Sequence, residues 1–430
     1  MINRSYRARF IRLMLGLSFV IPAAFQSAAQ STEILTIEDC YAMARANFPQ
    51  AKQLALFERS ADYSIDNLSK GFLPQIQLIG QASYQSAVTE FPLMLPNVEV
   101  PTVSKDQYKI YADIYQPLTE KSRINQQKEL VRANTLIEEN KVEVELYKLK
   151  ERINQLYFGI LLIDAQLDQV NLLKKDIENG IDRINAAIAN GVALKYQADI
   201  LQAEYLKANQ RSIELKNGRA GFLEMLSLFI NQPLNENTSL EQPENPTLAL
   251  EINRPELELF RVQGASIGLQ QQLVDIKKRP KLGIFAQAGY GRPALNFLNN
   301  DFDFYYVAGL RVNWNLSAFY TSSNEQEIIA LGQNVLQAQQ ETFLLQTNIT
   351  LRQQQSEISK LTQLIESDQE IIQLQEKIKT TANNQLANGT ITVRDYISYV
   401  NEEDKARQNL LLHQMQLLLA QYNYKTTSGN

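Results

Sequence analysis

The sequence predicts an α+β membrane protein built from one unit stated twice, two membrane-length strands followed by a very long helical hairpin. Three observations predict it. The first is an internal duplication: Asn47-Phe48-Pro49-Gln50 recurs as Asn253-Arg254-Pro255-Glu256, an offset of 206 that also relates Gln81-Ala82-Ser83-Tyr84 to Gln287-Ala288-Gly289-Tyr290. Beyond Leu118 and Leu316 the offset is 198, as in Ala189-Asn190-Gly191 and Ala387-Asn388-Gly389, so the first copy has the longer loop between its strands. A single duplication of this size gives two halves of one assembly, whereas solenoids repeat every ~20–50 residues. The second observation is that no proline lies between Pro117 and Pro233 or after Pro293, which leaves two long stretches free to be helical. The third is a change of period from about 3.6 to 2 in the segments that precede those stretches.

Taken in order, the chain opens with a basic segment (Arg4, Arg7, Arg9, Arg12), an apolar core from Leu13 to Phe25 and the small residues Ser27-Ala28-Ala29. This is the pattern of a secretory signal peptide, 1–29, cleaved before Gln30; the apolar run is too short for a membrane anchor. Loss of the four arginines moves the formal charge from −5 to −9, which argues against a nucleic-acid partner. Cys40 is the only cysteine, lies well past the apolar core, and reads as a packing residue.

The first structural repeat, 30–232, holds strands at about 74–85 and 107–117. In them Ile76, Leu78, Gly80, Ala82 and Tyr84 alternate with polar neighbours, as do Tyr108, Ile110, Ala112 and Ile114. Helices are expected over 120–189 and 197–230. In the first, Ala133, Ile137, Val144, Ile153, Ile160, Val170 and Ile177 fall at coiled-coil-like spacings, and Asn190-Gly191 stops the run. Residues 233–253, with Pro233, Pro243 and Pro246, form a loop-rich linker. The second repeat, 254–430, gives strands at about 280–291 and 303–316 and helices at 320–387 and 393–424. Its long seam runs through Ile328, Leu331, Val335, Leu345, Ile349, Leu361 and Ile378.

Nine to eleven residues of apolar and polar alternation, ending in Tyr or Trp, match transmembrane β-strands with interfacial aromatics. Four strands cannot close a barrel, and an open edge in lipid leaves backbone donors unsatisfied, so several chains must combine. Enzyme chemistry is disfavoured: one histidine, His413, and one cysteine exclude His-rich or Cys-rich metal sites and most nucleophile–His systems. No Gly-rich phosphate loop opens a helix, and no cofactor is implied. A periplasmic coiled-coil tether or scaffold without a pore would explain the helices but not the four amphipathic strands.

The duplicated strand-strand-helix unit, the signal peptide, Asn-Arg-Pro-Glu-Leu from Asn253 and Asn-Gly-Thr from Asn388 resemble the TolC-like outer-membrane efflux proteins. The resemblance covers about 36–424 and implies a homotrimer. Its twelve-stranded β-barrel in outer-membrane lipid would continue as a periplasmic α-helical barrel that docks on a periplasmic adaptor and an inner-membrane pump. The linker becomes part of a belt around the tunnel. The adaptor-contact tips fall at Gly191, Val192 and Ala193 and at Gly389, Thr390 and Ile391. Such proteins often narrow the periplasmic aperture with two aspartates one helical turn apart. Asp395 matches the first of these, while Ser398 stands at the second. Gln197, preceded by Tyr196, stands where the family has an acidic tether. A ring of three Asp395 carboxylates would attract cations; the alternative is a solvated helix face with Asp395 paired to Arg394. The loops at about 85–106 and 291–303 are expected to face the cell exterior, so that an epitope near Pro96 would be labelled on intact cells.

Overall fold

A computed structural model describes residues 34–89 and 103–430. The expected signal peptide and the Pro96 region lie outside the described residues. The elements run α1 (Ile37–Asn47), α2 (Lys52–Lys70), β1 (Gln75–Tyr84), β2 (Asp106–Pro117), α3 (Lys121–Ala189), α4 (Lys195–Ile230), α5 (Pro255–Lys277), β3 (Lys281–Arg292), β4 (Asp303–Asn313), α6 (Ala318–Ala387) and α7 (Val393–Ser428). The four strands form one antiparallel sheet in the order β1-β2-β3-β4. At 69 and 70 residues, α3 and α6 each extend about 100 Å at 1.5 Å per residue. Among the described residues no helix is long and apolar enough to cross a membrane.

Several features differ from the sequence expectation. Helices α1, α2 and α5 precede the strand pairs, where none was expected. The duplicated prolines explain the starts: Pro49 opens a 3-10 turn leading into α2, and Pro255 is the first residue of α5, a position where the missing N–H costs nothing. Strand β4 ends at Asn313, not 316. The Trp314 indole donates to the Lys278 carbonyl at 2.9 Å, which turns the chain out of the ladder. Helix α4 starts two residues early, at Lys195, and α7 runs on to Ser428.

The main core lies where the middle of α3 meets α1, the end of α4 and α7. Tyr157, Phe158, Ile153 and Ile160 of α3 pack there on Ile37, Cys40, Leu226, Ile230, Leu418 and Tyr422. Thr36 caps α1 through a reciprocal box with Asp39. The linker is tied to the same point, because Leu35 and Leu240 form a parallel bridge and the Tyr157 hydroxyl lies 2.8 and 2.7 Å from the carbonyls of Leu35 and Glu241. Fully buried Asn154 bonds to Asn423 at 3.1 Å, joining α3 of the first repeat to α7 of the second. The two repeats therefore fold as one unit around this point.

Candidate functional site

The register sorts the sheet into two chemically opposite faces. Ile76 pairs with Ile114, Leu78 with Ala112 and Gly80 with Ile110; Ala112 continues to Ala288, and Ala288 to Tyr306. All of these, with Tyr84, Tyr108, Ile284, Tyr290, Phe304, Leu310 and Val312, share one apolar face. That face is bare: Leu78 is 75 % exposed, and Phe304 and Tyr306 are both 80 % exposed. The other face carries Gln75, Gln77, Gln81, Lys109, Tyr111, Asp113, Tyr115, Phe285, Gln287 and Arg311. Its side chains touch one another, with Gln287 donating to Asp113 at 3.0 Å and Arg311 stacked 4.6 Å over the Phe285 ring.

Crowding on the polar face explains two glycines. A Cβ on Gly283 would lie 2.4 Å from the Tyr115 ring, and one on Gly289 would lie 2.4 Å from the Tyr111 Cβ. A packed polar face behind a bare apolar one has the sense of an aqueous lumen within an apolar wall. Strands β1 and β4 each pair on one side only. Their outer backbone groups cannot stay unpaired in hydrocarbon.

The helices carry a matching deficit. Helix α2 has no buried residue, with Leu56 and Tyr63 exposed, and the upper part of α6 exposes Ile328, Leu331, Val335, Leu345 and Ile349 at 58–67 %. These last five belong to the seam expected from the sequence. The upper part of α6 packs on α5 along another face, as in Phe343 beside Phe260 and Glu325 paired with Lys277, while its lower part packs Leu351 and Ile358 beside Tyr424 of α7.

At the far end of the helices the two tips close identically. The Val192 N–H donates to the Ala187 carbonyl and the Thr390 N–H to the Gln385 carbonyl, while Gly191 and Gly389 adopt φ of +73° and +70°. This is a Schellman stop, and positive φ is what selects glycine there. Val192, Gly191, Gly389 and Thr390 are exposed, and Ala193 and Ile391 are half-buried.

Asp395 sits at the third position of α7 and closes a capping box. Its carboxylate accepts from the Thr392 N–H at 3.0 Å and hydroxyl at 2.7 Å, and its own N–H donates to Thr392 Oγ1 at 3.2 Å. The Thr392 side chain, then its backbone, hold the Asp395 carboxyl below its ordinary pKa, so it stays ionised. Gln197 occupies the equivalent position of α4 and accepts from the Leu194 N–H at 3.1 Å. Gln197 and Asp395 line one groove between the tips, about 980 Å³ in volume. Ser398, one turn on, is exposed beside Asp395, and Tyr196 and Arg394 also face solvent. Arg394 forms no ion pair with Asp395 among the described residues. Opposite these polar groups Val393 and Ile397 are buried on Ile177 and Leu201, which fastens one tip to the other.

Sequence reasoning missed an ion-pair network just above this cluster. Lys379 of α6 lies 2.8 Å from both Asp176 of α3 and Glu403 of α7, and Arg407 bonds Glu403 at 2.7 Å and also pairs with Glu376. The available signal was a carboxylate at an apolar-seam position, since Val393, Ile397, Val400 and Glu403 follow one helix stripe. Burial raises the Glu403 carboxyl, but hydrogen bonds from Lys379 and Arg407 outweigh it and hold the pKa below the ordinary carboxylate range. A depressed carboxylate stabilises above its unfolded pKa and is lost as pH falls through the folded one. Burial lowers Lys379, and its bonds to Asp176 and Glu403 more than restore it, so its contribution is lost only in strong alkali. The bridge between repeats is thus expected to hold through neutral pH and to fail in acid below the carboxylate range. Hydrogen exchange at 176–200 and 376–400 should show the tips loosening only there; exchange that is flat down to pH 3 would contradict this.

Compared by sequence, the chain matches no protein-family model and no curated protein. Compared by structure, it is similar to outer-membrane channels. The outer membrane protein VceC from Vibrio cholerae aligns over 92 % of this chain and 96 % of its own, with a TM-score of 0.65 and 12 % identity. The Campylobacter jejuni CmeC outer membrane channel aligns over 91 % and 85 %, at a TM-score of 0.61 and 12 % identity. The open state of the Neisseria gonorrhoeae MtrE outer membrane channel aligns over 92 % and 89 %, at 0.63 and 11 %. The fold is therefore that of the TolC-like outer-membrane channels, as the sequence resemblance implied.

Proposed function

We propose that this chain is one protomer of a trimeric outer-membrane channel, with three copies of the four-stranded sheet closing a twelve-stranded barrel and the long helices extending it through the periplasm. The channel would pass cargo delivered by an inner-membrane pump and a periplasmic adaptor, as in efflux or type I secretion. One observation carries the reading: the sheet is apolar and bare outside, polar and packed inside, and unpaired at both edges. A pore-less periplasmic tether would account for the helices and leave that sheet without a purpose. The bare seam of α6 and the uncovered face of α2 supply apolar surface of the kind a neighbouring copy would bury. The exposed turns at Gly191, Val192, Ala193, Gly389, Thr390 and Ile391 are the surface available to an adaptor. The chain acts as a conduit without catalysis or a cofactor.

The detergent-solubilised protein is expected to be a trimer by mass, and a monodisperse monomer would overturn the reading. Topology has an equally direct test. The only native thiol, Cys40, is buried, and burial pushes it up to about 12, so it is inert to impermeant maleimides. A single Asn296→Cys exchange in the exposed β3–β4 loop should be labelled on intact cells. Labelling only after the outer membrane is broken would reverse the assigned orientation.

A further inference from the structure

We infer that the groove where the polar face of the sheet meets the helices binds the phosphate group of a soluble anion within the lumen; the inference rests on the channel reading and names a class of solute for it. Lys281 and Asn313 are register partners at the last rung of β3 and β4, on the face that carries Gln287 and Arg311. Below that rung opens a groove of about 1020 Å³, lined by both residues and by Arg123, Lys277 and Arg279. Four cations there face two carboxylates, Glu120 and Glu325. Both carboxylates are already engaged, Glu120 with Arg123 and Lys281 (3.4 Å) and Glu325 with Lys277 (2.9 Å). Arg279 has no carboxylate within ion-pair distance among the described residues and is exposed. Asn313 is exposed as well and adds a neutral amide donor to the groove.

The duplication supplies an internal control. Lys277, Arg279 and Lys281 correspond in the first repeat to Gly71, Leu73 and Gln75, yet both segments join a helix to a strand in the same way. The junction therefore folds without these charges, and folding does not account for them. A planar guanidinium with unused donors beside two ammonium groups suits a phosphate, which accepts several charge-assisted hydrogen bonds at once. Three copies would repeat the groove around the lumen, and rings of Lys and Arg are what anion and phosphate pores present to their solutes. A cleft lined by one sign of charge also raises the local concentration of its counter-ion. Asp395 stands beyond the far end of the 70-residue α6, about 100 Å away at 1.5 Å per residue. The Debye length is about 10 Å at 0.1 M salt, so the two charged zones act independently. A phosphate site here is compatible with cation selectivity there.

The test titrates inorganic pyrophosphate into the detergent-solubilised protein, in chloride buffer at about 0.1 M, and reads binding by calorimetry. The native protein should bind, and affinity should fall about tenfold in R279Q/K281Q, with the single exchange R279Q intermediate. K278Q removes a neighbouring charge that pairs with Asp275 and does not line the groove, so it should bind as the native protein does. In planar bilayers, pyrophosphate added on the loop side of the barrel should reduce the current, with the same order among the variants. No heat of binding, or equal affinity in every variant, would overturn the inference and leave the channel reading standing. Loss in K278Q equal to that in R279Q/K281Q would mean diffuse charge in place of a site, with the same consequence. Trimers that dissociate in R279Q, with no pyrophosphate bound by the native protein, would give Arg279 to a neighbouring copy and overturn it too. Protein that forms no conducting pore would remove the channel reading, and this inference with it.

Discussion

Arginine at Ala308 should prevent assembly of the channel in the outer membrane, while arginine one residue earlier, at Val307, should leave it assembled. Ala308 lies at the middle of β4 on the apolar face, paired with Ala286 and flanked by Tyr306 and Leu310. A cation there would sit at the depth of the hydrocarbon midplane, where Arg costs about 2–4 kcal/mol on a barrel surface. Each trimer would carry that cost three times, against the marginal stability typical of folded proteins. Val307 pairs with Gln287 on the polar face, near Asp113, so an added guanidinium can remain hydrated. Heat-modifiable migration of purified outer membranes reads the difference. Two variants that behave alike would mean the bare apolar face is not in lipid.

The strands were legible because a half-exposed sheet imposes a period of two, and Ile76 to Tyr84 or Phe304 to Val312 keep it without a break. The long helices were legible because proline is absent and the seam recurs. What that seam packs against was not, since Ile328 to Ile349 of α6 find no cover within the chain. Helices α2 and α5 were missed although their apolar residues recur at helical spacing, as in Leu54, Phe57, Ala61, Ile65 and Leu68 of α2, none of which is fully buried within the chain. The bridge from Asp176 to Lys379 spans 203 residues, and no local pattern encodes a contact at that separation. The cap at Asp395 was available: Thr392-Val393-Arg394-Asp395 has the spacing of a capping box, as does Thr36-Ile37-Glu38-Asp39. Reading Asp395 as a pore residue, or as a solvated partner of Arg394, left its capping role unread.

That double role makes Asp395→Asn an informative substitution. We propose that three Asp395 carboxylates surround the axis at the periplasmic end, and the hydrogen bonds from Thr392 that keep each one ionised favour a cation-selective pore. An asparagine retains a side-chain oxygen that can accept from the Thr392 N–H, so the start of α7 and trimer assembly should survive. The charge is lost, and block by a trivalent cation from the periplasmic side should weaken by roughly an order of magnitude. Thr392→Ala separates the two roles in the opposite sense: it removes the cap and leaves the charge, so the tip should loosen while cation preference persists. Ser398 contributes no carboxylate, so block should be weaker at the outset than in relatives with a second acidic ring. Single-channel recording decides the matter. If selectivity and block are unchanged in Asp395→Asn, the residue is a helix cap alone and the constriction lies elsewhere.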